Sequence, residues 1–347
     1  RPESAMVQGA ESGRLAFLDV GRAVAVLYVL LFHAVEIWGL GYPKPLTQII
    51  QSGGSGVTLF FVISAFSLCL TMERHQRSAS PIASYTLARI FRIAPLYYAL
   101  LALTLWRDAE FRSILHEAPK ILSAATFSFN LFPEYAKGIV WASWSVGVEV
   151  VFYAMFPFLH KLLNSIERRC IALIIAMWLT YAVATFVLPI FSPEIGGPLA
   201  YMNIVRNLAI FLVGMIAYDV FRMLERATLK RRTEKGLLLT AVGVSLIGFF
   251  IVTFRLTWGK TLVIDFGLAQ SVAYSTALIG LSLLPRRFVA NPVSAFYSKV
   301  CYSAYLWHPF LIWAMKPYYD IVVGRFDGQW LRFAAIVGGT LAAVTVV

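Results

Sequence analysis

About ten apolar stretches follow one another along this chain, each long enough to cross a lipid bilayer as an α-helix. A membrane-spanning helix needs roughly 17 to 25 predominantly apolar residues. The predicted spans are Ala16–Trp38, Gly56–Met72, Tyr85–Trp106, Val140–Leu163, Cys170–Phe191, Ile204–Phe221, Gly236–Phe254, Leu262–Leu284, Val300–Met315 and Leu331–Val347. Because backbone groups in lipid must be satisfied within each segment, the sequence predicts an all-α, polytopic membrane bundle.

The composition supports a membrane protein. Of the 347 residues, 59% are hydrophobic and only 14% are charged, whereas a soluble domain carries about 25% charged residues. We therefore expect a single transmembrane domain over residues 16–347, which ends inside the last apolar run, after a short cytoplasmic tail over residues 1–15. The three cysteines show no metal-ligand spacing and are interpreted as free, buried, apolar residues.

Lysine and arginine residues set the predicted orientation of the bundle. The formal net charge is +12, and the basic residues are denser in the loops after even-numbered spans. The strongest cluster comprises Arg226, Lys230, Arg231, Arg232 and Lys235. Both termini are therefore predicted to lie in the cytoplasm. Because no basic soluble domain is visible, nucleic acid is not an expected partner, and the charge is assigned to loops that face anionic lipid.

The first predicted span carries ionisable residues on one face. Arg22 and His33 lie eleven positions apart, which corresponds to about three helical turns and about 16 Å. Asp19 and Glu36 flank them at a spacing of three residues, so all four share one stripe. Ionisable side chains are costly at bilayer depth and are usually functional. A carboxylate beside His33 suits a general base, whereas the alternative is a structural histidine.

Two arginines begin the third predicted span. Arg89 and Arg92 lie one turn apart in the segment ARIFRIAPLYY. Two guanidinium groups at this spacing match phosphate oxygens well. The alternative is that both side chains snorkel from a helix end toward water.

The fourth predicted span has a polar stripe. Ser145, Glu149 and Tyr153 are spaced by four residues and begin beside Trp144. Their predicted depth brings Glu149 within a helix-packing distance of His33. The alternative is a protonated glutamate with a structural role.

Three further features are weaker. Pro309 lacks an N–H group and frees a backbone carbonyl, which His308 is positioned to cap. Asn130 lies in the apolar segment FSFNLF, where a buried amide needs a partner. The glycines of GGSGVTLFFVISAF are interpreted as sites of tight helix packing. The sequence contains no phosphate-binding loop, so arginine and lysine side chains would have to hold any nucleotide.

In order, these segments resemble the integral-membrane acyltransferase 3 family, whose members modify bacterial surface glycans. LDVGRAVAVLYVLLFH is similar to its first-helix signature, an arginine, ten residues and a histidine. GVTLFFVISAF, ARIFRIAPLYY, WSVGVEVVFY and YSAYLWHPF resemble its later blocks. The resemblance extends from about residue 17 to residue 310, with departures at Thr58, Ala65 and Val150.

The resemblance implies a multi-pass enzyme of the bacterial inner membrane. Such an enzyme transfers an acyl group, usually acetyl, from cytoplasmic acyl-CoA to a hydroxyl of an extracytoplasmic glycan, with acetyl-CoA as donor and no metal. For such a reaction we expect catalytic roles for His33, Glu36 and Glu149, donor binding by Arg22, Arg89 and Arg92, and acceptor binding by Asn130, Trp144, Ser145, Tyr153 and His308. A homo-oligomer or a separate periplasmic partner is compatible with this family.

Two other functions remain open from the residues alone. Arg22, His33 and Glu149 could form the proton relay of a transporter or of a flippase for a lipid-linked glycan, although no inverted repeat is visible. A membrane protein that only assembles envelope enzymes would need exposed binding loops, and only residues 107–139 form a long outer loop. An ester on a glycan would distinguish the enzyme from both.

Overall fold

The computed structural model describes residues 15–37, 39, 43, 46–107, 114–257 and 266–346. Fifteen α-helices lie within these residues, and no strand occurs among them. In chain order they are α1 (Ala16–Glu36), α2 (Thr47–Gln51), α3 (Gly56–Gln76), α4 (Pro81–Arg107), α5 (Ile114–Ala125), α6 (Trp144–Leu162), α7 (Ile166–Ala182), α8 (Pro193–Met202), α9 (Ile204–Arg226), α10 (Arg232–Thr257), α11 (Phe266–Leu283), α12 (Arg286–Val289), α13 (Pro292–Ala314), α14 (Lys316–Arg325) and α15 (Gln329–Val346).

Nine helical segments in the described part of the chain are long and apolar enough to cross a membrane. They correspond to nine of the ten predicted spans, and the all-α membrane class is confirmed. The tenth predicted span, Val300–Met315, lies within α13 except for its last residue, but polar and aromatic residues lower the hydropathy of that helix, and it is not among the nine. Trp38, residues 262–265 and Val347, which belong to predicted spans, lie outside the described residues.

Large apolar side chains remain exposed on α7. Ile171, Ile174, Ile175 and Trp178 are each more than half exposed, at 54% to 68%. A helix surface of this kind is typical of contact with lipid rather than with water. Cys170 lies at the start of the same helix and is also exposed, so the prediction that every cysteine is buried was wrong for this residue.

The chain forms two compact units, one from Arg1–Ile63 with Val220–Val347 and the other from Ser64–Asp219. In the first unit, α1 packs extensively against α13, and α10 packs against α11. The predicted close packing of the glycine segment is confirmed there, because a Cβ atom on Gly56 would lie 2.8 Å from Cγ2 of Val29. A single domain over residues 16–347 stays a prediction.

In the second unit, a buried ion pair connects α7 to α9. Nη1 of Arg169 lies 2.7 Å from Oδ1 of Asp219 and also donates to the carbonyl of Met215 at 3.1 Å. Nε of Arg169 donates to the carbonyl of Leu163 at 2.9 Å. The guanidinium is therefore well supplied with acceptors, as a buried cation requires.

Short turns hold the start of α6 in the same unit. Phe129–Leu131 and Pro133–Tyr135 are single 3-10 turns. A Cβ atom on Gly147 would collide with Oδ1 of Asn130 and would lie 2.5 Å from Cζ of Phe129. Glycine at position 147 therefore permits this segment to approach α6.

Candidate active site

The predicted site residues divide between the two units. The first unit holds Arg22, His33, Glu36 and His308, and the second holds Arg89, Arg92, Asn130, Trp144, Ser145, Glu149 and Tyr153. The predicted approach of His33 to Glu149 joins residues of different units and stays a prediction.

His33 lies near the C-terminal end of α1 and packs against another histidine. Its Nδ1 atom lies 3.0 Å from Nε2 of His308, and the two ring centroids are 4.9 Å apart in a stacked arrangement. The ring of Phe32 lies 4.8 Å from the His33 ring, centroid to centroid. Glu36, one turn later, is partly buried, and its predicted interaction with His33 stays a prediction.

His308 is fully buried in α13, and its Nδ1 atom forms a hydrogen bond with the carbonyl of Tyr305. In an uninterrupted helix that carbonyl would accept from the N–H of residue 309. Because Pro309 has no N–H, the carbonyl is left for another donor. The predicted capping of a freed carbonyl by His308 is therefore confirmed, and the same ring presents Nε2 to His33.

The other end of α1 carries a polar cluster. Oδ1 of Asp19 lies 3.7 Å from Nη1 of Arg22 and accepts a 2.6 Å hydrogen bond from the hydroxyl of Ser298. Ser298 belongs to α13, as does the histidine that contacts His33. Asp19 and His33 thus face the same neighbouring helix, in agreement with the predicted stripe along α1.

A cavity of about 220 Å³ lies beside Asp19. Arg286, Asn291 and Ser294 also line it. These residues could not be singled out beforehand, because an arginine in a short basic segment has no distinctive sequence pattern. The role of Ser298 could not be predicted either, since its partner Asp19 lies 279 residues away in the chain.

Tyr153 is the centre of a polar cluster in the second unit. Its hydroxyl lies 2.9 Å from Oγ of Ser64 and interacts with the side chain of Glu149, one turn earlier on α6. The hydroxyl of Tyr85 donates to the backbone carbonyl of Tyr153 at 3.0 Å. The predicted stripe of Glu149 and Tyr153 therefore acts as a connected pair, whereas the contributions of Ser64 and Tyr85 come from distant segments and were not predicted.

Arg89 lies beside the tyrosines of this cluster. Its guanidinium carbon lies 5.9 Å from the ring centroid of Tyr85 and 5.8 Å from that of Tyr153. Its Nε atom is buried and has no hydrogen-bond partner among the described residues. Arg92, one turn later, is exposed, so the two arginines occupy different surroundings. A buried donor without an acceptor is costly, and the role of Arg89 toward an anion stays a prediction.

The start of α6 is fixed by two of the predicted acceptor-binding residues. Nδ2 of Asn130 donates to the carbonyl of Trp144 at 3.1 Å, and the hydroxyl of Ser145 donates to the carbonyl of Ala142 at 3.3 Å. Both side chains are buried. Trp144 is partly exposed, and its ring meets that of Tyr201 edge-on at 5.7 Å. The roles of these residues toward an acceptor stay predictions.

Comparison with known proteins matches nearly the whole chain to one family. The model of the Acyl_transf_3 family, described as an acyltransferase domain, matches residues 15–347. The Staphylococcus aureus (strain COL) protein named "Putative O-acetyltransferase SACOL0978" is 24% identical over 333 residues, which are 90% of this chain and 52% of that protein. The proteins named "Putative O-acetyltransferase SAS0844" (strain MSSA476) and "Putative O-acetyltransferase SAR0937" (strain MRSA252) match equally. The chain spans about half the length of these curated relatives, and no solved structure matches it.

Proposed function

Since the chain belongs to the Acyl_transf_3 family, we propose that it is a membrane O-acyltransferase of the bacterial inner membrane. It moves an acyl group, usually acetyl, from cytoplasmic acyl-CoA to a hydroxyl of an extracytoplasmic glycan. The names of the relatives support O-acetyl transfer. The observation that carries the proposal is the placement of Arg22 and His33 near opposite ends of one membrane-spanning helix.

The distance along this helix suits a donor that reaches through the bilayer. Arg22 and His33 are separated by about 16 Å of helix rise, roughly the length of the pantetheine arm of CoA. The phosphates of CoA are too highly charged to enter the hydrocarbon region. Arg22, Arg89 and Arg92 therefore bind them at the predicted cytoplasmic side, and the arm carries the thioester toward His33.

His33 acts as a general base in the transfer step. It takes the proton of the acceptor hydroxyl as the hydroxyl oxygen attacks the thioester carbonyl. A new C–O ester bond forms, the C–S bond breaks, and CoA leaves as a thiolate that takes up a proton. Glu36 or Glu149 stabilises the cationic form of His33. The acceptor is bound by Asn130, Trp144, Ser145 and Tyr153.

A radiolabel experiment tests this proposal. Membranes that contain the protein are supplied with [14C]acetyl-CoA and host envelope glycans, and alkali-labile label on glycan is counted. We expect the wild type to form ester, His33→Ala to form at least about a hundredfold less, and His160→Gln, a histidine variant on α6, to match the wild type. Absence of ester with the wild type, or equal ester with His33→Ala at equal protein levels, would contradict the proposal.

A further inference from the structure

We propose that His308 is a positioning residue that fixes the tautomer of His33 and leaves Nε2 of His33 as its basic nitrogen. This inference rests on the proposed function of His33 as a general base, and it replaces the acceptor-binding role that the sequence suggested for His308. It is carried by two consecutive hydrogen bonds, one between His308 and the carbonyl of Tyr305 and one between the two imidazoles.

The first bond sets the tautomer of His308. A backbone carbonyl only accepts hydrogen bonds, so Nδ1 of His308 must carry the proton that it donates to Tyr305. The carbonyl is available because Pro309 cannot donate to it. His308 is 0% exposed, and a charged imidazolium is costly at such a position. The neutral ring with Nδ1 protonated has its lone pair on Nε2.

The second bond sets the tautomer of His33. Nε2 of His308 lies 3.0 Å from Nδ1 of His33, and a nitrogen that carries a lone pair accepts. Nδ1 of His33 must therefore carry the proton, and the neutral His33 ring keeps its lone pair on Nε2. The opposite assignment would set a lone pair on Nδ1 of His308 against the carbonyl oxygen of Tyr305, where both atoms are acceptors.

The arrangement also suits the charge that develops during transfer. When Nε2 of His33 accepts the proton of the acceptor hydroxyl, the ring becomes an imidazolium. Its bond from Nδ1–H to His308 then becomes charge-assisted and stronger. His308 provides this support as a neutral acceptor, whose burial costs less than that of a charged group. Positioning of a catalytic histidine through its second nitrogen is a general device.

Two isosteric variants of His308 separate its two hydrogen bonds. In His308→Gln, the side-chain oxygen reaches the place of Nε2 and can accept from His33. In His308→Asn, the amide reaches the place of Nδ1 and can donate to Tyr305, but the acceptor that His308 offers to Nδ1 of His33 is lost. We expect His308→Asn to lower kcat by about tenfold to a hundredfold with the KM for acetyl-CoA unchanged, and His308→Gln to retain most of the wild-type kcat. Equal kcat in the two variants would overturn the assignment.

A spectroscopic measurement tests the tautomer without activity. The chain has five histidines, and 15N labelling of histidine with His33→Gln as the assignment variant identifies the two nitrogen signals of His33. We expect Nδ1 of His33 to be protonated and Nε2 unprotonated in the wild type, and the fraction of His33 protonated at Nδ1 to fall in His308→Asn. Protonation at Nε2 in the neutral wild-type ring would overturn the inference even if neither variant folds. A wild type that lacks acyl transfer would instead contradict the proposed function and leave this readout intact.

Discussion

The hydroxyl of Ser298 donates a 2.6 Å hydrogen bond to Oδ1 of Asp19 and connects the first turns of α13 to the first turn of α1. The contact between His33 and His308 connects the same two helices near their C-terminal ends. The two helices therefore run parallel. The orientation predicted from loop charge gives the same result, because Ala16–Trp38 and Val300–Met315 both run outward in it.

Removal of the Ser298 hydroxyl should destabilise the protein. Ser298→Ala leaves a buried carboxylate with one donor fewer, and a hydrogen bond to a charged group contributes about 1.5 to 3 kcal/mol. The measurement is thermal unfolding in detergent. Ser303→Ala is the matched control, because the Ser303 hydroxyl donates within α13, to the carbonyl of Val300. An equal effect of both substitutions would contradict the importance of the bond to Asp19.

The features that are local in sequence could be predicted. The apolar stretches gave the membrane helices, and the eleven-residue spacing placed Arg22 and His33 near opposite ends of α1. The relation of His308 to Pro309 also follows from local chemistry, since a proline frees the carbonyl four residues before it. In each case a short stretch of sequence contains every group that takes part.

The features that depend on tertiary packing could not be predicted. His33 and His308 are 275 residues apart in the chain, and no periodic pattern indicates which helix α1 will meet. The sequence alone points to Glu36 or Glu149 as the carboxylate that supports His33, and it gives no indication that His308 is a neighbour. The π-helical turn Val183–Val187 at the end of α7 was likewise not predicted, because nothing in the apolar run distinguishes it from a regular helix.

Arg89 should affect donor binding more than acceptor binding. Arg89→Lys keeps the charge but loses the planar fork that matches phosphate oxygens. A lost charge-assisted hydrogen bond of about 1.5 to 3 kcal/mol corresponds to a rise in the KM for acetyl-CoA of roughly tenfold or more. Steady-state kinetics with each substrate varied in turn provide the measurement. Arg77→Lys, at an exposed arginine after α3, should leave both KM values unchanged, and an unchanged donor KM in Arg89→Lys would assign Arg89 to snorkelling.

Gly147 should be intolerant of a methyl group. In Gly147→Ala, the Cβ atom meets Asn130 and the ring of Phe129, and overpacking of this kind costs about 1 to 3 kcal/mol. We expect a lower unfolding temperature. Gly248→Ala on α10 is the control, since no atom of the described residues lies within 4 Å of the added atom, and alanine there should be neutral or stabilising by about 0.5 to 1 kcal/mol. Wild-type stability of Gly147→Ala would show that this contact is not tight.

Pro309 should influence the reaction through His308. Pro309→Ala restores an N–H that can donate to the carbonyl of Tyr305 and competes with Nδ1 of His308 for it. His308 then loses the constraint on its tautomer, and we expect a lower kcat with an unchanged KM for acetyl-CoA. The measurement is the steady-state kinetics of the purified variant. Its unfolding temperature must first be shown to be at least that of the wild type. A variant of this stability with the wild-type kcat would show that the proline is not required.

The most direct test of the account is the sidedness of transfer. Sealed inside-out membrane vesicles carry the envelope glycan in their interior, and [14C]acetyl-CoA, which cannot cross the bilayer, is added outside. The account predicts alkali-labile label on the enclosed glycan with the wild type and at least about a hundredfold less with His33→Gln. Label that appears only when donor and glycan are on the same side of the membrane, or equal label with His33→Gln, would contradict it.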